Sequence, residues 1–487
     1  MVPLHPEFMK AIYKILRFIL VCHMLVFICH FSSAQGYELT FGGPGTQICN
    51  GLAMTSDSSV YMLGFTSAGT FGGTDFMLSK ISPNGQLLWT KYFGSSHDDF
   101  GVSVIATDTG LVLAGMTHDP VLSDQVLLIV TDTSGNELNR YTYGSFGTEN
   151  INDARSCPDG GFIIAGSQTN SGSNYAYVLK VDSLFNQEWS NIFSGGINDY
   201  ASEALMADNN TYYVASDRKF NVGGGSFDYD ICLLKIDSTG NAIWDSVYHD
   251  PFQNGSQGLL LSQSGNVILY GETEVFQFSA FDYFISSSDS NGNLLWRYVF
   301  GGSGSNALFD LVEDNSGNLI GTGYGNSASN GNDPINVSLI KMDANGNLIW
   351  QREYGFQGID VGFRILHAPD GGFLVAGRAT TANDDDFYLL KVDADGLTSM
   401  AEAPLTSAGE IGVYPNPSTD YFYIKSSQKF TQLRLFDAFG RMVFSSYSNG
   451  IAGAYFRVEI PDVSKGTYLL ELSDSKLVTG RTVLIKN

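Results

Sequence analysis

The chain has 487 residues, of which only 16% are charged, while Gly (55), Phe (33) and Tyr (25) are abundant. That balance argues against long surface helices and for many short strands joined by tight turns. Fifty acidic residues face 26 basic ones, a net charge of −24, so no basic stripe that neutralises a phosphate backbone is expected and nucleic acid is not a partner.

Residues 1–34 read as a secretory leader. Lys10, Lys14 and Arg17 precede an apolar run from Phe18 to Phe31, and Ser32-Ser33-Ala34 are small where cleavage before Gln35 needs them to be. Met9-Lys10 opens a more conventional leader than Met1 does, which makes Met9 the expected start. The apolar run is too short to span a bilayer, and no other stretch is long enough. Cys29 follows Phe27-Ile28, not the small residues of a lipidation site. Without the leader, 23 basic residues face 49 acidic ones, a charge of −26. Cys49, Cys157 and Cys232 then remain, odd in number and without metal spacing, and are expected to be small buried hydrophobes with at most one disulfide.

From residue 35 to 396 one pattern recurs seven times. A turn of the form Asp-x-x-Gly-Asn begins at Ser82, Asp132, Asp182, Asp237, Asp289, Asp343 and Asp393, at spacings of 50 to 55 residues. An apolar strand precedes each turn, and a strand with an aromatic anchor follows it: Trp89, Trp189, Trp244, Trp296 and Trp350, with Asn139 as the substitution. Asp accepts from a backbone N–H two residues on, and Gly takes the left-handed conformation that closes the hairpin. An aromatic-Gly step (Phe93-Gly94, Tyr143-Gly144, Phe300-Gly301, Tyr354-Gly355), another strand, a second turn such as Asp159-Gly160-Gly161 and a fourth strand complete the unit.

Each unit is therefore a four-stranded meander, and a 50-residue meander repeated in tandem is the pattern of β-propeller blades stacked face to face. The seventh unit lacks its anchor strand, whereas Tyr37 to Gly42 matches Trp89 to Gly94 position for position. The N-terminal strand is thus expected to close the ring as the outer strand of the last blade. The repeat resembles secreted propellers of Bacteroidota with an aspartate-rich turn and a Trp strand, a resemblance that covers Tyr37 to Gly396 and implies architecture without naming a ligand.

Residues 397–410, rich in Ser, Ala and Thr, read as a linker. Residues 411–487 carry Pro415-Asn416-Pro417, Asp437-x-x-Gly440-Arg441, Gly466-x-Tyr468 and a basic last strand in that order. This segment resembles the C-terminal sorting domain of the type IX secretion system. The resemblance implies a small immunoglobulin-like β-sandwich, partnership with that secretion machinery, and delivery after Sec export to the surface or medium of a Gram-negative bacterium. The fold class expected for the whole is all-β, a seven-bladed propeller followed by the sandwich.

Five positions after each aromatic-Gly step stands a polar residue: Gln47, Asp99, Glu149, Asp199, Asn254, Asn306 and Asp360. Placed near the top of a central channel, this ring would bind Ca²⁺ or a sugar; otherwise it caps strand starts and orders channel water. No other cofactor is expected. The Asp-x-Asn-Gly-Asn turns already have a structural role, and Lys80, Lys180, Lys235, Lys341 and Lys391 are expected to pair with nearby carboxylates. Mature histidines are only His97, His118, His249 and His367, without a motif, and no nucleophile elbow, phosphate loop or zinc signature occurs. The expected function is therefore non-enzymatic binding of polysaccharide or protein by a monomer, through top-face loops at Asp217 to Asp230 and Gly323 to Asn336. The alternative is a carbohydrate-active hydrolase or lyase on the same scaffold.

Overall fold

The computed structural model describes residues 36–398 and 411–486, apart from short stretches within connections. The leader and most of the 397–410 segment lie outside the described residues. All named elements are β-strands, and two compact units account for them, one of which is Gly36–Gly396.

That unit contains seven four-stranded antiparallel sheets, six of them meanders in chain order. The innermost strands are Gln47–Met54, Asp99–Ala106, Thr148–Ser156, Asp199–Met206, Asn254–Leu261, Ala307–Glu313 and Asp360–His367. Each packs beside the next, and the last packs beside the first, so the blades form a closed ring. In the seventh sheet Tyr37–Phe41 is the outer strand. Its Tyr37 lies opposite Lys391, the register that puts Trp89 opposite Lys80 and Trp189 opposite Lys180. Closure by the N-terminal strand, read from the repeat, is what the structure has.

The third strand of each blade is buried on both faces because the cores lie between blades. Met62 and Met77 of the first blade share a cluster with Leu374 and Phe387 of the seventh, and Val112 and Leu128 of the second share one with Ile164 and Leu179 of the third. Burial on two sides explains continuous apolar strands where a one-sided sheet would alternate.

The turns hold themselves. Asp289 Oδ1 accepts from the backbone N–H groups of Asn291 and Asn293 at 2.9 Å, and its Oδ2 accepts from the Asn293 side chain at 2.9 Å. Both carboxylate oxygens are thus spent on the turn. The turn glycine also answers to its neighbour: Gly240 has φ +82°, and a Cβ there would sit 2.7 Å from the Trp189 ring of the preceding blade. Trp89, Trp244, Trp296 and Trp350 meet Gly135, Gly292, Gly346 and Gly396 in the same way, and Tyr37 meets Gly85 across the closure. The single departure is paired. Where Asn139 replaces Trp, the next blade's turn carries Phe185 instead of Gly at φ +65°, stacked on Tyr141 at 4.7 Å and on Phe162 at 5.3 Å.

The long segment at Asp217 to Asp230 is not a loop. The strands Tyr212–Gly223 and Ser226–Ile236 run through it as a paired hairpin. Of Gly323 to Asn336, the ends belong to strands Leu319–Gly325 and Asn336–Met342, and 327–334 lie outside the described residues.

The C-terminal unit has a sheet of three strands, Ile411–Tyr414, Tyr421–Ser426 and Tyr455–Glu459, and one of four, Met442–Gly450, Phe430–Phe436, Gly466–Asp474 and Leu477–Lys486. Phe422, Ile424 and Val458 of the first pack with Leu433, Leu435, Leu470 and Leu484 of the second, a small sandwich core. Tyr468 joins that core and donates its hydroxyl to the Ser464 carbonyl at 2.7 Å. Pro415, Asn416, Pro417, Asp437 and Gly440 lie outside the described residues, and Gly466 opens its strand.

Candidate functional site

Every innermost strand carries a β-bulge at the same place, where two of its residues oppose one on the neighbouring strand. A bulge inserts one residue, raises the local twist and re-aims side chains, and bulges recur beside functional sites. The inserted residues are Asn50, Val102, Asn152, Ser202, Gln257, Phe309 and Phe363, and all seven line one cavity of about 460 Å³ on the central channel. Tyr200, Ser256, Asp217 and Arg364 complete much of its wall. A second cavity of about 810 Å³ lies along the later halves of the same strands, and Arg364 lines both.

The polar groups of the first cavity are fixed from behind. Asn50 donates to the Gly101 carbonyl of the next blade at 3.0 Å, and Asn152 donates to that of Ala201 at 2.9 Å. One N–H of each amide is thereby used, which orients the rest of the group toward the cavity. The Ser202 and Ser256 hydroxyls bond each other at 2.9 Å, and the Phe309 ring meets Phe363 at 5.2 Å and Tyr324 at 5.8 Å. Asp217 Oδ1 accepts the Ser256 N–H at 2.7 Å. Burial pushes the Asp217 carboxyl up to about 7 against the two Ser256 donors, and the nearby Glu272 charge adds to the rise. Glu272 is itself raised by burial, opposed by the Tyr324 hydroxyl. The two carboxyls approach each other over Gly255, whose absent Cβ would lie 3.6 Å from Glu272 Oε1 and 4.0 Å from Asp217 Oδ2.

Between the cavities runs a belt of charge from the residues that follow the bulges. Asp153 accepts from Arg155 at 2.9 Å and from Arg364 at 3.3 Å, and Arg155 also pairs with Glu203. Glu203 accepts from the Leu259 N–H and the Tyr270 hydroxyl, both at 2.9 Å. Asp310 accepts from the Ile365 N–H at 2.9 Å; burial raises its carboxyl, and Arg364 and Arg155 counter the rise. Gly258 makes room for this belt, since a Cβ there would sit 2.0 Å from Glu203 Oε2.

The seven polar residues singled out from the repeat stand elsewhere. Gln47, Asp99, Glu149, Asp199, Asn254, Asn306 and Asp360 are all buried, three positions before the bulges, and none is among the residues lining either cavity. Most of them hold the connection that enters the blade. Asp99 Oδ2 accepts from the Ser95 N–H at 2.6 Å, Asp199 Oδ2 from that of Gly195 at 2.7 Å, and Gln47 Oε1 from that of Gly43 at 2.9 Å; Asp360 receives the N–H of Phe356. Several also meet a polar residue near the start of the preceding blade's third strand, as in Gln125 to Glu149 at 3.0 Å and Asn306 to Asp282 at 3.3 Å. Strict alternation puts the bulge residues at no common face, so the repeat does not single them out; the same alignment, moved three places, contains them.

Lys180 reaches Glu188 at 2.8 Å and Asp159 at 2.9 Å, Lys341 reaches Asp314 at 3.0 Å and Lys391 reaches Asp370 at 2.5 Å, whereas Lys235 donates to the Tyr213 hydroxyl at 3.1 Å. The three cysteines are free and buried. The His97 and His118 rings lie 5.8 Å apart, a neighbourhood no motif announced, and His118 contacts Asp124 at 2.8 Å. Among the described residues no three His, Cys, Asp or Glu side chains converge as a metal site, and no helix is long and apolar enough to cross a membrane.

Residues 412–486 match the secretion system C-terminal sorting domain family. The C-terminal sandwich is thus a type IX sorting domain, which implies secretion or cell-surface delivery of the propeller it follows. No protein of curated function matches the chain. Among solved structures, PorZ, an essential surface component of the type IX secretion system of Porphyromonas gingivalis, is 13% identical with a TM-score of 0.41, over 92% of this chain and 60% of that one. Sqt1 from Chaetomium thermophilum is 11% identical with a TM-score of 0.43, over 80% and 97%. The α-L-arabinofuranosidase Arb93A from Fusarium graminearum is 10% identical with a TM-score of 0.43, over 75% and 99%. At such identities and scores, these likenesses carry no ligand or activity across to this chain.

Proposed function

We propose that this protein is exported by a Sec leader and the type IX system to the surface or medium of a Bacteroidota cell, where its propeller binds polysaccharide without cleaving it. The observation that carries this reading is the ring of seven bulge residues turned into one cavity. Amides, a hydroxyl and two aromatic rings in a concave site of this size suit the hydroxyls and apolar faces of a sugar. They suit a tight cation cage less well, since Ca²⁺ asks for six to eight oxygen ligands with carboxylates among them. One observation favours a second reading, glycan cleavage: the Asp217 and Glu272 carboxyls flank Gly255 beside the cavity, and paired carboxyls of unequal environment are the equipment of acid–base hydrolysis. A glycan array read together with a reducing-end assay separates the two. Capture that weakens at least tenfold in Asn152→Ala/Gln257→Ala, with no product released, is the expected result. Product that disappears in Asp217→Asn would replace binding with hydrolysis, and capture only of proteins would overturn both.

A further inference from the structure

We infer that the 460 Å³ cavity is a blind cup that takes the end of a glycan chain and does not accept a segment of its length. This inference rests on the polysaccharide-binding reading of the same cavity. Its ground is the floor of the cup. Arg364 belongs to the seventh blade, yet its guanidinium reaches the Asp153 carboxylate at 3.3 Å and the Asn152 carbonyl at 3.5 Å, both on the third. Two blades separate these on one side of the ring and three on the other, so the bridge runs across the channel's diameter.

The bridge is anchored at both ends. On the third blade, Arg155 shares Asp153 with Arg364 and pairs onward with Glu203 of the fourth. The Tyr270 hydroxyl donates to Glu203 at 2.9 Å and lies 3.4 Å from Asp310 of the sixth blade, and Asp310 holds the backbone N–H next to Arg364. A polymer threading from one cavity to the other would have to break a network whose carboxylates, Asp153, Glu203 and Asp310, are buried, and leaving a buried charge without its partner is costly. A ligand must therefore enter and leave by the same mouth. The wall above the floor offers Asn50, Asn152, Ser202 and Gln257 to hydroxyls and Phe309 and Phe363 to a ring face, in a space fitted to a small terminal group.

The test uses the full chain with linear xylan, mannan, arabinan and β-glucan, each prepared at two lengths tenfold apart. End recognition predicts that the protein bound per gram of the captured polymer rises about tenfold for the shorter preparation. It also predicts that the methyl glycoside of the terminal sugar gives a saturation-transfer signal that is lost in Ser202→Trp. Should that variant fold poorly, Gln257→Ala, judged by an unchanged melting temperature, serves in its place. Equal binding per gram at both lengths, or capture of polymer with no signal from the single sugar, would overturn the blind cup and leave polysaccharide binding standing. Capture of none of these polymers, and of no glycan on the array, would remove the binding reading and this inference with it.

Discussion

Where one blade hands over to the next, two polar side chains face each other beside the glycine of the connection. Gln125 with Glu149 and Asp282 with Asn306 are each a carboxylate with an amide, so that one donates and the other accepts. Asp386 and Gln47 approach over Gly42 in the same combination. Asp75 and Asp99, which converge over Gly94, are both acids, and Asp99 Oδ1 finds no donor although it is buried. Asp99→Asn should therefore restore the pattern of the other pairs and raise the melting temperature at neutral pH by a few degrees, the worth of about 1 kcal/mol. Differential scanning calorimetry checks this, and a wild-type rise with millimolar Ca²⁺ that the variant lacks would mean that the pair holds a cation instead.

Asp217 gives a second prediction at this scale. The folded chain keeps its proton up to about pH 7, whereas an unfolded Asp releases it near pH 4. Its stabilising contribution is complete below that lower value and is lost as pH rises through 7. Asp217→Asn should accordingly flatten the stability profile between pH 4 and 7 and be more stable than wild type at pH 8, as read by urea titrations at each pH. Lower stability of the variant at pH 8 would show that the charged carboxylate is held by partners that outweigh its burial.

At the scale of elements, the turn and the outer strand of neighbouring blades are one device. A Trp ring closes over a glycine that can have no Cβ, and the repeat keeps the two together except where Asn139 and Phe185 exchange their bulk. Asn139→Trp alone should overpack against Phe185, costing about 1–3 kcal/mol. Phe185→Gly alone should leave a gap, and the double variant should recover most of the loss, since residues in contact couple. Chemical denaturation of the four proteins measures that coupling, and additive losses would mean that the two sites do not share a contact. The turns, strands and their exchange were legible because Asp, Gly and Trp are costly to place anywhere else. The bulges were not, because a bulge is a feature of pairing between strands and leaves no residue type behind it: Asn50, Val102, Gln257 and Phe363 have nothing in common but their place.

For the whole molecule, ring closure depends on the strand Tyr37–Phe41, which supplies the seventh blade's outer edge and the ring that covers Gly85. Deleting residues 35–43 should lower the melting temperature and expose a sheet edge that promotes association, both visible by calorimetry with light scattering. An unchanged melting temperature in a monodisperse sample would contradict closure. Ring and sorting domain were readable from the sequence since each repeats or preserves a spaced motif; the site was not, since it arises only when seven strands meet around one axis.

Whether the bulge residues form the binding surface is decided by hydrogen exchange with a captured glycan. Protection on binding should concentrate in the peptides carrying Asn50, Asn152, Ser202, Gln257, Phe309 and Phe363, with the outer strands unchanged. Protection confined to the outer strands, or to the sandwich of residues 411–486, would contradict it.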